Sequence, residues 1–206
     1  MNNKYIPILL ITLLLGVISS NLLLKKPTAP ATNSGEPMGG DFTLHSMDGD
    51  VSLHDLTGKV ALVFFGYTYC PDVCPTSLAR ISEAFKQLSE EELAQTKGVF
   101  ISVDPKRDTP EKLKAYTQYF HPNIIGLTGG KDEIDRVSGN YGASYKITQK
   151  HSESAYLIDH TALIFVLDTD GKIREFLPHA TSVNGVTSVI RKYIAEKSSI
   201  TTPPAS

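Results

Sequence analysis

Cysteine is nearly absent from this 206-residue chain. Cys70 and Cys74 are the two present, and both fall in one phrase, Cys70-Pro71-Asp72-Val73-Cys74-Pro75. A pair so close in sequence closes too small a loop to staple a fold, which excludes a multi-disulfide secreted scaffold and makes the chemistry of the pair local. A second Cys/His pair at short spacing, expected of a structural four-ligand zinc site, is missing. So is any run of basic residues interleaved with aromatics. The 20 basic residues face 22 acidic ones, and Lys4, Lys25 and Lys26 precede the domain. That balance disfavours nucleic acid as a partner. Arginine does not occur before Arg80, which argues against an Arg-rich transit peptide and for a bacterial envelope protein. No internal repeat is visible.

What the chain does have begins with an apolar run from Tyr5 to Leu24. Residues 1–24 are expected to be a membrane anchor or a signal peptide, the run being just long enough to cross roughly 30 Å of hydrocarbon. Having no cysteine beside it, the run is not read as a lipoprotein anchor. Residues 25–40, with Pro27, Pro30, Pro37, Gly35, Gly39 and Gly40, are expected to form a flexible linker able to reach on the order of 50 Å. Residues 41–197 are enough for one domain with a hydrophobic core, and 198–206 read as a loose tail. The expected location is the bacterial inner membrane, with the domain facing the periplasm or cell exterior.

Within the domain, Phe42 to Met47 and Val51 to Leu56 alternate about Asp48-Gly49-Asp50, a hairpin signal. Val60 to Phe65 is an unbroken apolar run, the pattern of a central strand covered on both faces. From Pro75 to about Gln95 the apolar residues recur at helical spacing. Val99 to Val103 reads as a strand, and Thr109-Pro110-Glu111 caps a helix to about Tyr119. A short strand at Ile124 to Leu127, a helix at Lys131 to Tyr141 and an extended Tyr145 to Thr148 follow. Leu163 to Leu167 is a second wholly apolar strand, hairpinned to Lys172 to Phe176, and Asn184 to Glu196 closes as a helix. This order predicts an α/β fold with a central mixed sheet flanked by helices and an N-terminal β-hairpin. A buried strand running into a cysteine turn and a helix is a thioredoxin-like arrangement.

Cys70 then sits at the end of the central strand and Cys74 in the first turn of the next helix, where free N–H groups stabilise thiolates. Two convergent thiolates suit reversible disulfide formation or a soft metal such as Cu(I), and the spacing alone does not choose. It has one residue more than the C-x-x-C of thioredoxin-type oxidoreductases. A third ligand would come from a histidine. His45, His54 and His121 fall in hairpin or loop sequence, His151 in a polar run and His179 after Pro178. His160 differs: Asp159-His160-Thr161 directly precedes the second buried strand, which in a thioredoxin-like fold packs its leading loop against the cysteine turn. Asp159 and Asp72 are candidates to orient an imidazole, or simply turn residues. Asp104, Arg107 and Asp108 either shape a partner-facing loop or cap the following helix. Tyr67 and Tyr69 either line the site or cover the sheet edge.

The phrase Gly66-Tyr67-Thr68-Tyr69-Cys70-Pro71-Asp72-Val73-Cys74-Pro75-Thr76-Ser77-Leu78 resembles the signature of the Sco/SenC family of copper-binding proteins. The similarity continues through Ser102 to Pro110, Gly126 to Gly129 and Asp159 to Phe165, and spans about Phe42 to Ile194. Departures are Thr161, where members often have Ser, and Asp168-Thr169-Asp170-Gly171, where Pro is frequent at the second position. The resemblance implies a membrane-tethered thioredoxin-like domain that binds one copper, as Cu(I) and also Cu(II), through Cys70, Cys74 and His160. It implies a metallochaperone assisting assembly of the CuA centre of cytochrome c oxidase. The partners implied are the CuA-bearing subunit, a copper donor and a thiol reductant. A thiol-disulfide oxidoreductase, with Cys70 and Cys74 as its reacting groups, or a redox or copper sensor would use the same residues. The five-residue cysteine phrase and His160 favour a metal-binding assembly factor over an enzyme.

Overall fold

The computed structural model describes residues 38–201. The expected anchor or signal peptide, the linker as far as residue 37 and the tail from residue 202 lie outside the described residues. Among the described residues no helix is long and apolar enough to cross a membrane. Residues 38–40, given to the linker by composition, lie on the domain: the Gly39 N–H donates to the Asn140 carbonyl at 2.8 Å.

The hairpin consists of β1 (Thr43–Ser46) and β2 (Gly49–Ser52), antiparallel with Ser46 opposite Gly49. Its turn is Met47-Asp48, slightly earlier than the composition suggested. The Asp48 N–H donates to Ser46 Oγ, and Gly49 takes φ 122°, a value that favours glycine. Leu53–Leu56, expected to extend the second arm, coil instead into a 3-10 turn that Ser52 and Asp55 close by hydrogen bonds.

The first apolar run is β3 (Val60–Gly66), buried throughout. There follow α1 (Val73–Lys86), α2 (Glu90–Ala94), β4 (Thr96–Ser102), α3 (Pro110–Phe120), β5 (Ile124–Leu127) and α4 (Lys131–Asn140). The chain continues through β6 (Tyr145–Thr148), β7 (Leu157–His160), β8 (Leu163–Leu167), β9 (Ile173–Pro178) and α5 (Val183–Thr201). Where one helix was expected from Pro75 to Gln95 there are two. Ser89 and Glu92 cap each other reciprocally, which starts a new helix instead of continuing the old one. The last helix runs beyond Glu196 to Thr201.

The strands form a five-stranded sheet in the order β5-β4-β3-β8-β9. β3, β4 and β5 are parallel, and β8 and β9 run antiparallel to their neighbours, so the sheet is mixed as expected. Successive side chains of β3 point to opposite faces. Ala61, Val63 and Phe65 join Phe165, Tyr141, Ile134 and the hairpin residues Phe42 and Leu44 in one core layer. Val60, Leu62 and Phe64 join Leu78, Ile81 and Phe85 of α1, Leu113 of α3 and Val186 and Ile190 of α5 in the other. Burial on both faces is what an unbroken apolar run requires, and it makes β3 a rigid support for whatever follows its last residue.

Candidate metal centre

β3 ends at Gly66, and the chain turns through Tyr67 to Cys70, whose N–H donates to the Tyr67 carbonyl at 3.2 Å. Cys74 lies in the first turn of α1, fully buried, while Cys70 is half-buried. Both are free thiols. His160, the last residue of β7, brings its ring to them: Nε2 lies 3.3 Å from Cys74 Sγ and 3.9 Å from Cys70 Sγ. All three candidate ligand atoms fall within 4.8 Å of one another. Cys70 and His160 border an open cleft of about 370 Å³ lined also by Tyr67, Pro71, Asp72 and Leu157, and Cys74 lies buried behind them.

The two thiols differ in acidity. The Cys74 side chain hydrogen-bonds to Cys70, and His160 and the N–H groups of Cys74 and Asp72 add to it, so the Cys70 thiol is held well below its ordinary range despite partial burial. Burial, reinforced by the neighbouring Cys70, pushes Cys74 up. Cys70 is therefore the more acidic of the two thiols, and a metal held by both sulfurs displaces the proton from Cys74.

The imidazole is oriented by the main chain. Nδ1 lies 3.2 Å from the Thr161 carbonyl, and a carbonyl can only accept, so Nδ1 carries a hydrogen and the neutral ring in this orientation turns the Nε2 lone pair to the sulfurs. The ring packs edge-on against Phe64 and Tyr67, each with centroids 5.9 Å away. Neither carboxylate considered as its orienter does that work. Asp159 accepts from Thr148 Oγ1 and Asp72 from Thr76 Oγ1; Asp72 is a turn residue at the start of α1, whereas Asp159 belongs to strand β7, opposite Lys146. His160 also sits at the end of a paired strand, opposite Tyr145, where a loop was expected.

Tyr67 is buried and lines the cleft, and its Oη accepts the Ile158 N–H at 3.1 Å. Tyr69 is 51% exposed. Asp104, Arg107 and Asp108 are buried and shape the loop from within; the cap of α3 is Thr109. Asp108 accepts the Thr68 N–H at 2.9 Å, Thr68 Oγ1–H at 2.5 Å and Ser102 Oγ–H at 2.7 Å, tying the cysteine turn to the end of β4. Its role had no signal in sequence beyond an Asp beside a helix start.

Gly66 is a further site-shaping residue that the sequence reading passed over. A Cβ there would lie 2.6 Å from Cys74 Sγ and 2.7 Å from Phe100 Cε2. Gly66→Ala is expected to lower stability by about 1–3 kcal/mol, as overpacking of a tight core does, and to displace the Cys74 sulfur. Urea unfolding checks the first effect and Cu(I) affinity the second; wild-type values for both would refute the close fit.

The donor set suits a soft metal. Two thiolates and an imidazole converge in a site open on one side, and a thiolate pair selects Cu(I) while the imidazole also accommodates Cu(II).

The chain is similar to known proteins in both sequence and structure. The chain is 38% identical over 175 residues to an SCO2-like protein of Rickettsia felis, covering 80% of this chain and 85% of that one. It is 36% identical over 135 residues to the mitochondrial SCO2 homolog of Bos taurus, 65% of this chain but 51% of that protein, and so spans about half the length of that relative. Among solved structures, copper-bound ScoI of Bradyrhizobium japonicum superposes with a TM-score of 0.70 at 38% identity, covering 76% of this chain and 99% of that one. Copper-bound yeast Sco1 does so at 0.70 and 29% identity, covering 82% and 92%. The fold is accordingly thioredoxin-like. The sequence model of the SCO1/SenC family matches residues 30–195, and this chain belongs to that family.

Proposed function

We propose that this chain binds one copper ion through Cys70, Cys74 and His160 and passes it on in the assembly of the CuA centre of cytochrome c oxidase. The observation that carries the reading is the convergence of three soft and borderline donors within 4.8 Å, with His160 Nε2 already freed by its Nδ1–H contact to Thr161. Structures of relatives solved with copper bound support it, and membership of the SCO1/SenC family supports the oxidase as the destination. Copper is cargo in this reading. The cleft leaves one side of the site open, so an acceptor's cysteines and histidines replace these ligands one at a time. The N-terminal apolar run anchors the domain at the bacterial inner membrane, facing the periplasm or cell exterior, at raised concentration near membrane-bound acceptors. A copper donor and a thiol reductant complete the cycle.

A second reading, thiol-disulfide exchange on the acceptor's cysteines, is favoured by one observation. The half-buried Cys70 has the lowered pKa of an attacking thiolate, and the buried Cys74 is the resolving thiol beside it. The two readings separate in one experiment on the reduced, purified chain. Near-equimolar copper that is lost in each ligand variant supports the first; no copper with rapid disulfide exchange supports the second. His160→Ala is expected to weaken Cu(II) retention by at least about 10-fold while leaving the rate of thiol exchange within about 3-fold, because the imidazole is a ligand but not the nucleophile. Wild-type Cu(II) affinity in His160→Ala would remove His160 from the ligand set.

A further inference from the structure

The three candidate ligands ride on two separate supports. Cys70 and Cys74 belong to the end of β3 and the start of α1, both packed into the central core. His160 ends β7, which pairs with β6 in a two-stranded sheet of its own and is no part of the five-stranded sheet. The loop from Gln149 to Ala155 that joins these two strands is exposed. A hairpin with few partners needs something to hold it in register with the cysteine turn, since a ligand displaced by 1 Å no longer completes a metal site.

Arg107, in the loop between β4 and α3, touches both supports. Toward the histidine hairpin, its Nη1 donates to the Ser154 carbonyl at 3.2 Å and the Tyr156 carbonyl at 3.0 Å, just before β7. Its guanidinium carbon lies 3.5 Å from the centroid of the Tyr156 ring. Toward the cysteine turn, it lies 4.7 Å from the Tyr69 ring and 5.7 Å from the Tyr67 ring. Asp104 fixes the group from below: Arg107 Nε donates to Asp104 Oδ2 at 2.5 Å, and Tyr156 Oη–H donates to Asp104 Oδ1 at 2.7 Å. Arg107 is 9% exposed, and its Nη2 has no partner among the described residues. A planar fork that leaves the N–H groups of one arm unmatched is placed by its stacking and its other bonds. Tyr67 extends the connection, since its ring packs edge-on against His160 and its Oη holds the Ile158 N–H.

We infer that Arg107 is a positioning residue of the metal centre: it fastens the hairpin that carries His160 to the turn that carries Cys70. It acts through His160 and touches no metal. Its copper readout rests on the proposed function, whereas its metal-free readout does not.

The test begins on the reduced full chain without metal. Arg107→Met is expected to speed amide exchange at Tyr156, Leu157 and Ile158 by about 10-fold or more, while β3 and β8 keep wild-type rates. The His160 imidazole signals are expected to shift and broaden relative to the wild type as the hairpin loosens. Arg107→Lys keeps the charge beside Asp104 but neither the fork nor the stacking, and is expected to show the same pattern; it serves where the methionine variant does not fold. With Cu(I) added against a competing chelator, Arg107→Met is expected to weaken binding by roughly 10- to 100-fold and to add nothing in a His160→Ala background. Equal losses in both backgrounds, or unchanged His160 signals with protection lost evenly across β3 and β8, would overturn the inference. If no variant and no wild-type chain binds copper, the proposed function fails and the metal-free exchange alone decides Arg107.

Discussion

Cys70→Ser and Cys74→Ser are each expected to abolish Cu(I) binding in an anaerobic titration against a competing chelator. Serine replaces a thiolate with a hydroxyl that stays protonated at neutral pH and is too hard for Cu(I), and with no other cysteine in the chain nothing can substitute. The two variants are expected to differ in stability. Cys74 is fully buried against Leu78 and Phe100 in the layer formed by α1, and a serine hydroxyl there lacks water, so about 1–3 kcal/mol of stability is lost unless it finds a partner. Cys70 is half-buried at the cleft, and its replacement is expected to cost less. Thiol-disulfide exchange disappears in both. A serine variant that retained equimolar Cu(I) at wild-type affinity would place the copper elsewhere and end the ligand assignment.

Asp108→Ala is expected to lower stability by roughly 3–5 kcal/mol. The carboxylate has 0% exposure and receives three donors, Thr68 N–H, Thr68 Oγ1–H and Ser102 Oγ–H. Removing it leaves the buried Ser102 hydroxyl and the partly buried Thr68 donors unmatched, at about 1–3 kcal/mol for each group that stays unsatisfied. The damage spreads in both directions. Ser102 Oγ also accepts the Asp104 N–H, so the loop that holds Arg107 loosens, and Thr68 stands two residues before Cys70, so the cysteine turn loosens too. Asp108→Asn keeps the shape but turns an NH2 toward a donor, and is expected to fall between wild type and alanine. Urea denaturation gives the stability, and Cu(I) competition on the folded fraction gives the effect on the site. An alanine variant within about 1 kcal/mol of wild type would mean that these donors find other partners.

Much of the fold was legible because its signals are local. Two apolar runs, Val60 to Phe65 and Leu163 to Leu167, stand side by side as β3 and β8, since a strand buried on both faces can have no polar residue in the run. The helix that follows Cys70 was legible from its apolar spacing, but its end was not. Ser89 and Glu92 restart the helix by a reciprocal hydrogen bond that competes with continuation, and apolar spacing does not register it. Leu157 to His160 was not recognised as a strand because its pairing lies with Tyr145 to Thr148, and its burial alternates weakly.

The cysteine phrase, the strand that leads into it and the helix turn that receives it were determined by the sequence alone, because each depends on residues within one short window. The tertiary structure decided the rest. Cys74 and His160 are 86 positions apart, and only the packing of the β6–β7 hairpin on the turn after β3 brings Nε2 to 3.3 Å from the sulfur. The same packing decided that the Thr161 carbonyl, and neither Asp159 nor Asp72, sets the imidazole tautomer. It buried Arg107 and Asp108, which composition would have left in a solvated loop. It also made Gly66 a requirement of the Cys74 sulfur. The physical reason is common to all four: backbone propensity acts on neighbours along the chain, whereas the distance between two ligand atoms is set by packing between elements, which no single window of sequence contains.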